Sequence, residues 1–122
     1  MPKLIITSRE VEAAAGLTVM EAIREAGFAR TGLTAADMGV VELNEGFASQ
    51  AIATLRDLGV DPADPRVNPN GGAIALGHPL GHPLGMSGAG ITLSAAEELQ
   101  RGGARHALAF MRVGVGLILE RV

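Results

Sequence analysis

Two histidines stand in the most unusual stretch of the sequence, GGAIALGHPLGHPLGMSGAG at residues 71–90. His78 and His82 each occupy a Gly-His-Pro-Leu-Gly unit, and the two units share one glycine. Histidine titrates near neutral pH, so it can move a proton or bind a metal ion. The stretch is therefore a pair of ligands, a catalytic histidine with a copy beside it, or a glycine-rich turn without chemistry.

A metal site is the least supported of these three interpretations. The spacing of His78 and His82 would align them on a helix, but Pro79 and Pro83 disfavour a helix there, and no third ligand is evident nearby. We predict that the chain binds no metal. His106, the third histidine, lies in a predicted strand and is interpreted as a structural or exposed residue.

In the segment VELNEGFA (41–48), Asn44 and Glu45 stand where a predicted strand ends and a predicted helix begins. Phe47 is the first residue on the apolar face of that helix. Two interpretations stay open. Asn44 caps the helix, with Glu45 favoured by the positive end of the helix dipole. Alternatively, Asn44 presents its amide at the carboxyl end of a strand, where open α/β sheets bind ligands.

The segment VNPNGGAIALGHPLG (67–81) contains Asn-Gly and Gly-Gly pairs, which favour turns with positive φ. It is a long surface connection, or a segment whose glycines let a backbone or a ligand approach closely. Its small apolar residues are unusual for an exposed loop.

The elements that must position these residues follow from short apolar runs and helical spacing. We predict strands at 4–7, 10–13, 38–43, 104–112 and 115–122, a single turn after Thr34, and helices starting at Thr18 and over 45–58 and 88–101. Gly59 and Gly103 would end two of the helices, Ser87 would cap the last one, and AIAL (73–76) would be a short buried strand or extended segment. This order predicts one α/β domain over residues 1–122, with a layered mixed β-sheet and helices.

The composition excludes several classes of function. The 122 residues are 48% hydrophobic and carry a net charge of −3, and no basic block indicates nucleic-acid binding. There is no Cys, Trp or Tyr, which excludes disulfides and thiolate sites and disfavours base-stacking surfaces. The beginning of the chain lacks a signal-peptide core and no run is long enough for a membrane span, so we expect a cytoplasmic protein.

Taken together, the segments GLTAADMGVVELNEGFASQ, VNPNGGAIALGHPLG and SGAGITLSAAEELQRGGARHALAFMRVGVGLILERV resemble the C-terminal half of thiolases, which are acyl-CoA acyltransferases. The resemblance runs from about Gly32 to Val122. It implies a thiolase-like half, an acyl-CoA substrate, no cofactor, and association with a second copy or with a partner thiolase half.

In thiolases a cysteine takes the acyl group, a loop histidine activates it, an asparagine holds an oxyanion water, and a second cysteine moves a proton. The resemblance assigns the asparagine to Asn44, the histidine to either His78 or His82, and an oxyanion backbone position to Gly114. It assigns substrate contacts to Asn70, Gly71, Gly72 and Phe47.

Arg112 stands where the resemblance places the second cysteine, and a guanidinium cannot act as that base. The nucleophilic cysteine belongs to an N-terminal half that the sequence does not contain. We therefore expect an acyltransferase domain that is incomplete or inactive alone. The alternative is a non-catalytic thiolase-fold module, whether a natural relic, a chimera or a design.

The first 31 residues follow the thiolase pattern less well. MPKLIITSREVEAAAGLTVMEAIREAGF resembles the opening strand-strand-helix of adrenodoxin-type ferredoxins, whose cluster needs four cysteines that this chain lacks.

Overall fold

The structure is a computed structural model that describes residues 4–6, 28, 31–77, 85–111 and 115–122, with residues 4–6 and 115 described by their backbone. The strands are β1 (Leu4–Ile6), β2 (Val40–Leu43), β3 (His106–Met111) and β4 (Val115–Arg121). The helices are α1 (Ala48–Asp57), α2 (Ala73–Leu76) and α3 (Ser87–Gly102), with a short 3-10 helix at Ala35–Asp37.

The four strands form one mixed sheet in the order β1-β4-β3-β2. β2 runs parallel to β3, with Leu43 opposite Phe110, whereas β3 pairs antiparallel with β4 and β4 antiparallel with β1. The α/β class and the mixed sheet are thus confirmed. The predicted second strand (10–13) and the helix starting at Thr18 lie outside the described residues.

Two apolar clusters fill the two faces of the sheet. One lies beneath α1 and contains Val41, Leu43, Leu55, Leu108 and Phe110 among its buried members. The other lies beneath α3 and is built from smaller side chains: Val40, Ala95, Leu99, Ala107, Ala109 and Leu119. Side chains alternate between the faces of a strand, and this alternation accounts for both sets.

Local signals in the sequence account for several element ends. Thr34 and Asp37 form the predicted capping box around the single 3-10 turn. Gly59 and Gly103 adopt φ of +73° and +71° after α1 and α3, in the left-handed region that glycine tolerates best. Ser87 is wrong as the cap of α3, because it is the first helical residue and Met86 occupies the cap position.

The apolar face predicted for α1 is only partly buried. Leu55 is buried, whereas Phe47 precedes the helix and is 65% exposed, and Ile52 is also exposed. Phe47 is therefore not part of the described core. Among the described residues, no helix has the length and apolar character that a membrane span requires.

Candidate functional site

Asn44 lies at the carboxyl end of β2. Its backbone N–H donates to the carbonyl oxygen of Phe110 at 3.0 Å, so the parallel ladder continues one residue beyond the strand. The helix-cap interpretation is wrong, because this bond keeps Asn44 in the sheet while α1 begins only at Ala48 with Phe47 as its cap residue. The alternative placement, with the amide at the carboxyl end of a parallel strand, is the one observed.

Glu45 connects the end of β2 to the glycine-rich segment. Its Oε1 accepts a hydrogen bond from Asn68 Nδ2, and its Oε2 accepts one from the backbone N–H of Ile74, both at 2.9 Å. Glu45 thus accepts a hydrogen bond from an N–H in the first turn of α2. The expectation of a buried strand at AIAL is wrong, because Ile74 and Leu76 are exposed residues of this one-turn helix.

Asn68 is a site residue that sequence reasoning missed. Its Oδ1 accepts the backbone N–H of Leu43 at 2.8 Å, and its Nδ2 donates to the Leu43 carbonyl oxygen at 3.1 Å. Asn68 is buried and has a φ of +43°, which asparagine tolerates better than most residues. Its side chain therefore acts as a strand partner for β2, and the only signal in the sequence was an asparagine within a turn-rich run.

Gly72 needs to be a glycine because the chain approaches itself closely here. A Cβ built at Gly72 would lie against the carboxyl group of Glu45 and the amide of Asn68. The close approach expected from the glycines is thus observed between backbone and side chains of the protein itself. We name Glu45, Asn68 and the segment 72–74 the Glu45 clamp.

Asn70 faces α3 in this structure. Its Nδ2 donates to Glu98 Oε1 at 2.8 Å, and Arg101 Nη1 donates to the same Glu98 oxygen at 2.6 Å. Gly71 has a φ of +85°, which explains a glycine at that turn. Contacts of these residues with a substrate remain a prediction.

The N-terminus of α3 lies at the same end of the sheet. A Cβ built at Gly88 would come within 3.3 Å of Met111 Sδ, the last residue of β3. Asn44, α2 and the start of α3 therefore lie near the carboxyl ends of the parallel strands. The positive end of a helix dipole favours negative charge, so the start of α3 makes this edge favourable for a negatively charged group.

Two buried acceptors at this edge, Glu42 Oε1 and Asn44 Oδ1, have no hydrogen-bond partner among the described residues. Glu42 is 4% exposed on β2. Burial, followed by the negative charges of Glu98 and Glu45, raises the pKa of Glu42 to about 7. A carboxyl group that is about half protonated near pH 7 therefore lies two residues from Asn44.

Four of the predicted site residues, namely His78, His82, Arg112 and Gly114, lie outside the described residues, so their roles stay predictions. His106 lies on β3 as predicted, with Nε2 3.8 Å from Glu120 Oε1. Within the described ranges, no three His, Cys, Asp or Glu side chains are arranged to hold a metal ion.

Comparison with known proteins agrees with this architecture. Residues 7–119 match the profile of the thiolase C-terminal domain. The chain is 47% identical to the 3-oxoadipyl-CoA/3-oxo-5,6-dehydrosuberyl-CoA thiolase of Escherichia coli, over 98% of this chain and 35% of that protein. It is 56% identical to the beta-ketoadipyl-CoA thiolase of Pseudomonas putida, over 76% of this chain and 23% of that protein.

A solved structure shows the same fold. The acetyl-CoA acetyltransferase of Bacillus anthracis superposes with a TM-score of 0.73 at 36% identity, covering 84% of this chain and 25% of that chain. The chain spans about a third or less of the length of the curated relatives it matches. The profile match reaches back to residue 7 and the alignment with the Escherichia coli protein covers 98% of this chain, so the similarity to thiolases extends into the first 31 residues. The chain belongs to the thiolase family and carries its C-terminal domain.

Proposed function

We propose that this chain supplies the C-terminal part of a thiolase-type acyl-CoA acyltransferase site. In this proposal a CoA thioester binds at the sheet edge formed by Asn44, α2 and the N-terminus of α3. The observation that carries the proposal is the Glu45 clamp. It holds the Asn44 segment and the segment leading to His78 together through two 2.9 Å hydrogen bonds to one carboxylate.

The chemistry of this edge suits a thioester oxygen. The amide of Asn44 can donate a hydrogen bond directly or through a water, and the helix N-terminus adds favourable partial charge. Preorganised donors of this kind stabilise the negative charge that develops during acyl transfer. Either His78 or His82 would supply the base, as the thiolase resemblance implies.

Acyl transfer also needs a thiol that this sequence does not provide, because it contains no cysteine. A cysteine from outside these 122 residues would have to supply the nucleophile. Arg112 stands in place of the second cysteine and stays protonated, so the proton-transfer step would still lack its base. The proposal therefore predicts binding of acyl-CoA without turnover by the chain alone.

The names of the relatives suggest the class of substrate. Relatives from Escherichia coli and Pseudomonas putida are named for 3-oxoadipyl-CoA or beta-ketoadipyl-CoA. We extend this class, a 3-oxoacyl-CoA whose acyl chain ends in a free carboxylate, to the site proposed for this chain.

The alternative function is a non-catalytic module that associates with itself or with a partner thiolase half. The absence of cysteine favours it, and so do large apolar side chains that are 62–69% exposed: Phe47, Leu76 and Leu93. For this module we also propose a cytoplasmic location and association with a second copy of the chain. A monomer mass by light scattering at micromolar concentrations would contradict the association.

Titration calorimetry with acetyl-CoA tests the binding proposal. We expect heat of binding for the unmodified chain and about tenfold weaker affinity for Asn44→Ala, the loss that one hydrogen bond can account for. Gln100→Ala removes an amide from an exposed position of α3 and should bind normally. Absence of heat at millimolar acetyl-CoA would remove the acyl-CoA claim and leave the non-catalytic module.

A thiolysis assay with acetoacetyl-CoA and CoA separates the enzyme from the module. The proposal predicts no turnover above that of a variant carrying both His78→Ala and His82→Ala. Turnover that depends on these histidines would show a complete site in these 122 residues, and the proposed need for a cysteine from outside them would then be wrong.

A further inference from the structure

Two orphaned acceptors of the site belong to residues that are two apart in the sequence. Glu42 Oε1 and Asn44 Oδ1 are both buried and have no donor among the described residues. A buried acceptor without a partner is costly, so its environment usually supplies a donor. An ionised carboxylate and an amide oxygen are both acceptors and cannot satisfy each other.

The two side chains project from the same face of β2. Val41 and Leu43 belong to the cluster beneath α1, whereas Val40 belongs to the cluster beneath α3. Alternation therefore directs Glu42 towards α3, and Asn44 follows because its backbone still bonds to Phe110 as in a strand. Residues two apart on a strand are separated by about 6.6 Å, a span that a glutamate side chain can bridge.

The charges around Glu42 favour its neutral form. Glu98 faces it from α3, and Glu45 follows it on the segment after β2. Arg101, also on α3, is bound to Glu98 and Asn70, and on β3 the residue opposite Glu42 is Ala109. Burial and the two carboxylates together raise the pKa of Glu42 to about 7. A neutral carboxyl group has an O–H donor, which the ionised form lacks.

We propose that Glu42 is a positioning residue for Asn44, and that its protonated carboxyl donates a hydrogen bond to Asn44 Oδ1. This bond satisfies both orphaned atoms with one proton. It also fixes which end of the Asn44 amide faces inward, so that the NH2 group faces the edge of the sheet. When Glu42 loses its proton to solvent, this bond is lost, and the amide can turn its NH2 group towards the ionised carboxylate.

The inference deepens the proposed function, and its meaning for catalysis rests on that function. The hydrogen bond itself does not depend on any ligand. It can therefore be tested on the free chain, separately from acyl-CoA binding.

Nuclear magnetic resonance of the labelled 122-residue chain, without ligand, provides the test. Between pH 5 and 9, the Glu42 carboxyl carbon and the Asn44 side-chain amide nitrogen should titrate with a common midpoint near 7. A structural role for Glu42 alone would not couple the two signals.

Substitutions sharpen this test. Glu42→Gln retains an NH2 donor, so Asn44 should keep the low-pH signal of the unmodified chain at every pH. Glu42→Met removes the donor, and the low-pH signal of Asn44 should be absent at every pH. Glu97→Gln, an exposed neighbour on α3, should leave the coupled titration unchanged.

The proposal is wrong if the Asn44 signals do not follow the titration of Glu42, as would happen if a buried water donated to both acceptors. It is also wrong if Glu42 titrates near 4.5. The titration of the unmodified chain decides the question even if a variant fails to fold. Coupled titration without any acetyl-CoA binding would leave the positioning role intact and remove the proposed function, whereas binding without coupling would do the reverse.

Discussion

The two faces of the sheet are built in different ways. Beneath α1, the buried side chains are large and apolar, with Phe110, Met38 and Leu108 almost completely inaccessible. Beneath α3, the strands contribute the small side chains of Val40, Ala107 and Ala109 together with Leu119, and the same face of β2 carries Glu42. The first face is packed with large apolar side chains that stabilise the fold. The second face has less apolar contact, and it carries the carboxyl group of Glu42 and the amide of Asn44 near the C-terminal ends of the parallel strands.

This difference separates two kinds of residue at the site. Removing a side chain from the α1 face should change stability at every pH. Changing Glu42 should alter mainly how stability depends on pH, because its cost arises from a charge that the fold disfavours. The following predictions test this distinction, starting with the largest expected effect.

Phe110→Ala should lower the free energy of unfolding by about 3–5 kcal/mol, because it leaves a cavity in the α1 face. Urea denaturation at pH 6 and pH 8 should show a similar loss at both values. Leu93→Ala, at a position that is 62% exposed, should cost less than about 1 kcal/mol. Equal losses for the two variants would mean that the α1 face is not the main source of stability.

Asn68→Ala should lower the free energy of unfolding by about 2–4 kcal/mol, since it removes three side-chain hydrogen bonds that are each worth about 0.5–1.5 kcal/mol. Asn68→Gly loses the same bonds but accepts the positive φ of +43° more readily. It should therefore be the more stable of the two in thermal denaturation. If Asn68→Ala unfolds at the same temperature as the unmodified chain, the Glu45 clamp does not hold the edge together.

Glu42→Gln should flatten the pH dependence of stability. The pKa of Glu42 is raised in the folded state from 4.5 to about 7, so the folded chain holds a proton that the unfolded chain has already released. The free energy of unfolding should thus be highest below pH 4.5, fall by up to about 3 kcal/mol as the pH rises to 7, and stay level above it. Denaturation series from pH 4.5 to 8 test this, and an unchanged slope in Glu42→Gln would contradict it.

Asp64→Asn should have the smallest effect, and only in acid. Hydrogen bonds from the Arg66 side chain and backbone lower the pKa of Asp64 to about 2, so its contribution is present above pH 3.8 and is lost as the pH falls towards 2. The variant should show a shallower loss of stability between pH 4 and 2. Asp57→Asn, on the exposed side of α1, serves as the matched control.

The sequence predicted those parts of the fold that local rules determine. The runs around Val40, His106 and Val115 became strands, and glycines at 59 and 103 ended the helices, because periodicity and left-handed caps act over a few residues. Asn44 was a plausible cap by the same local rules. It joined the sheet because Phe110, far along the chain, offers its carbonyl oxygen.

The site was less predictable because its contacts connect distant parts of the chain. Residues 73–76 (AIAL) form a helical turn, and the N–H of Ile74 in that turn donates a hydrogen bond to the carboxylate of Glu45. Glu42 gave no signal, since a glutamate in a short apolar strand could equally face solvent. Its burial depends on α3, whose position only the tertiary structure defines.

The most direct test of the central claim is to locate bound acetyl-CoA by amide chemical-shift changes in the labelled chain. The account predicts that the largest changes cluster at Asn44, at residues 72–77 and at the first turn of α3. They should decrease in Asn44→Ala and persist in Gln100→Ala. Changes confined to β1 and the start of β3, at the opposite end of the parallel strands, would contradict an acyl-thioester site at the carboxyl edge.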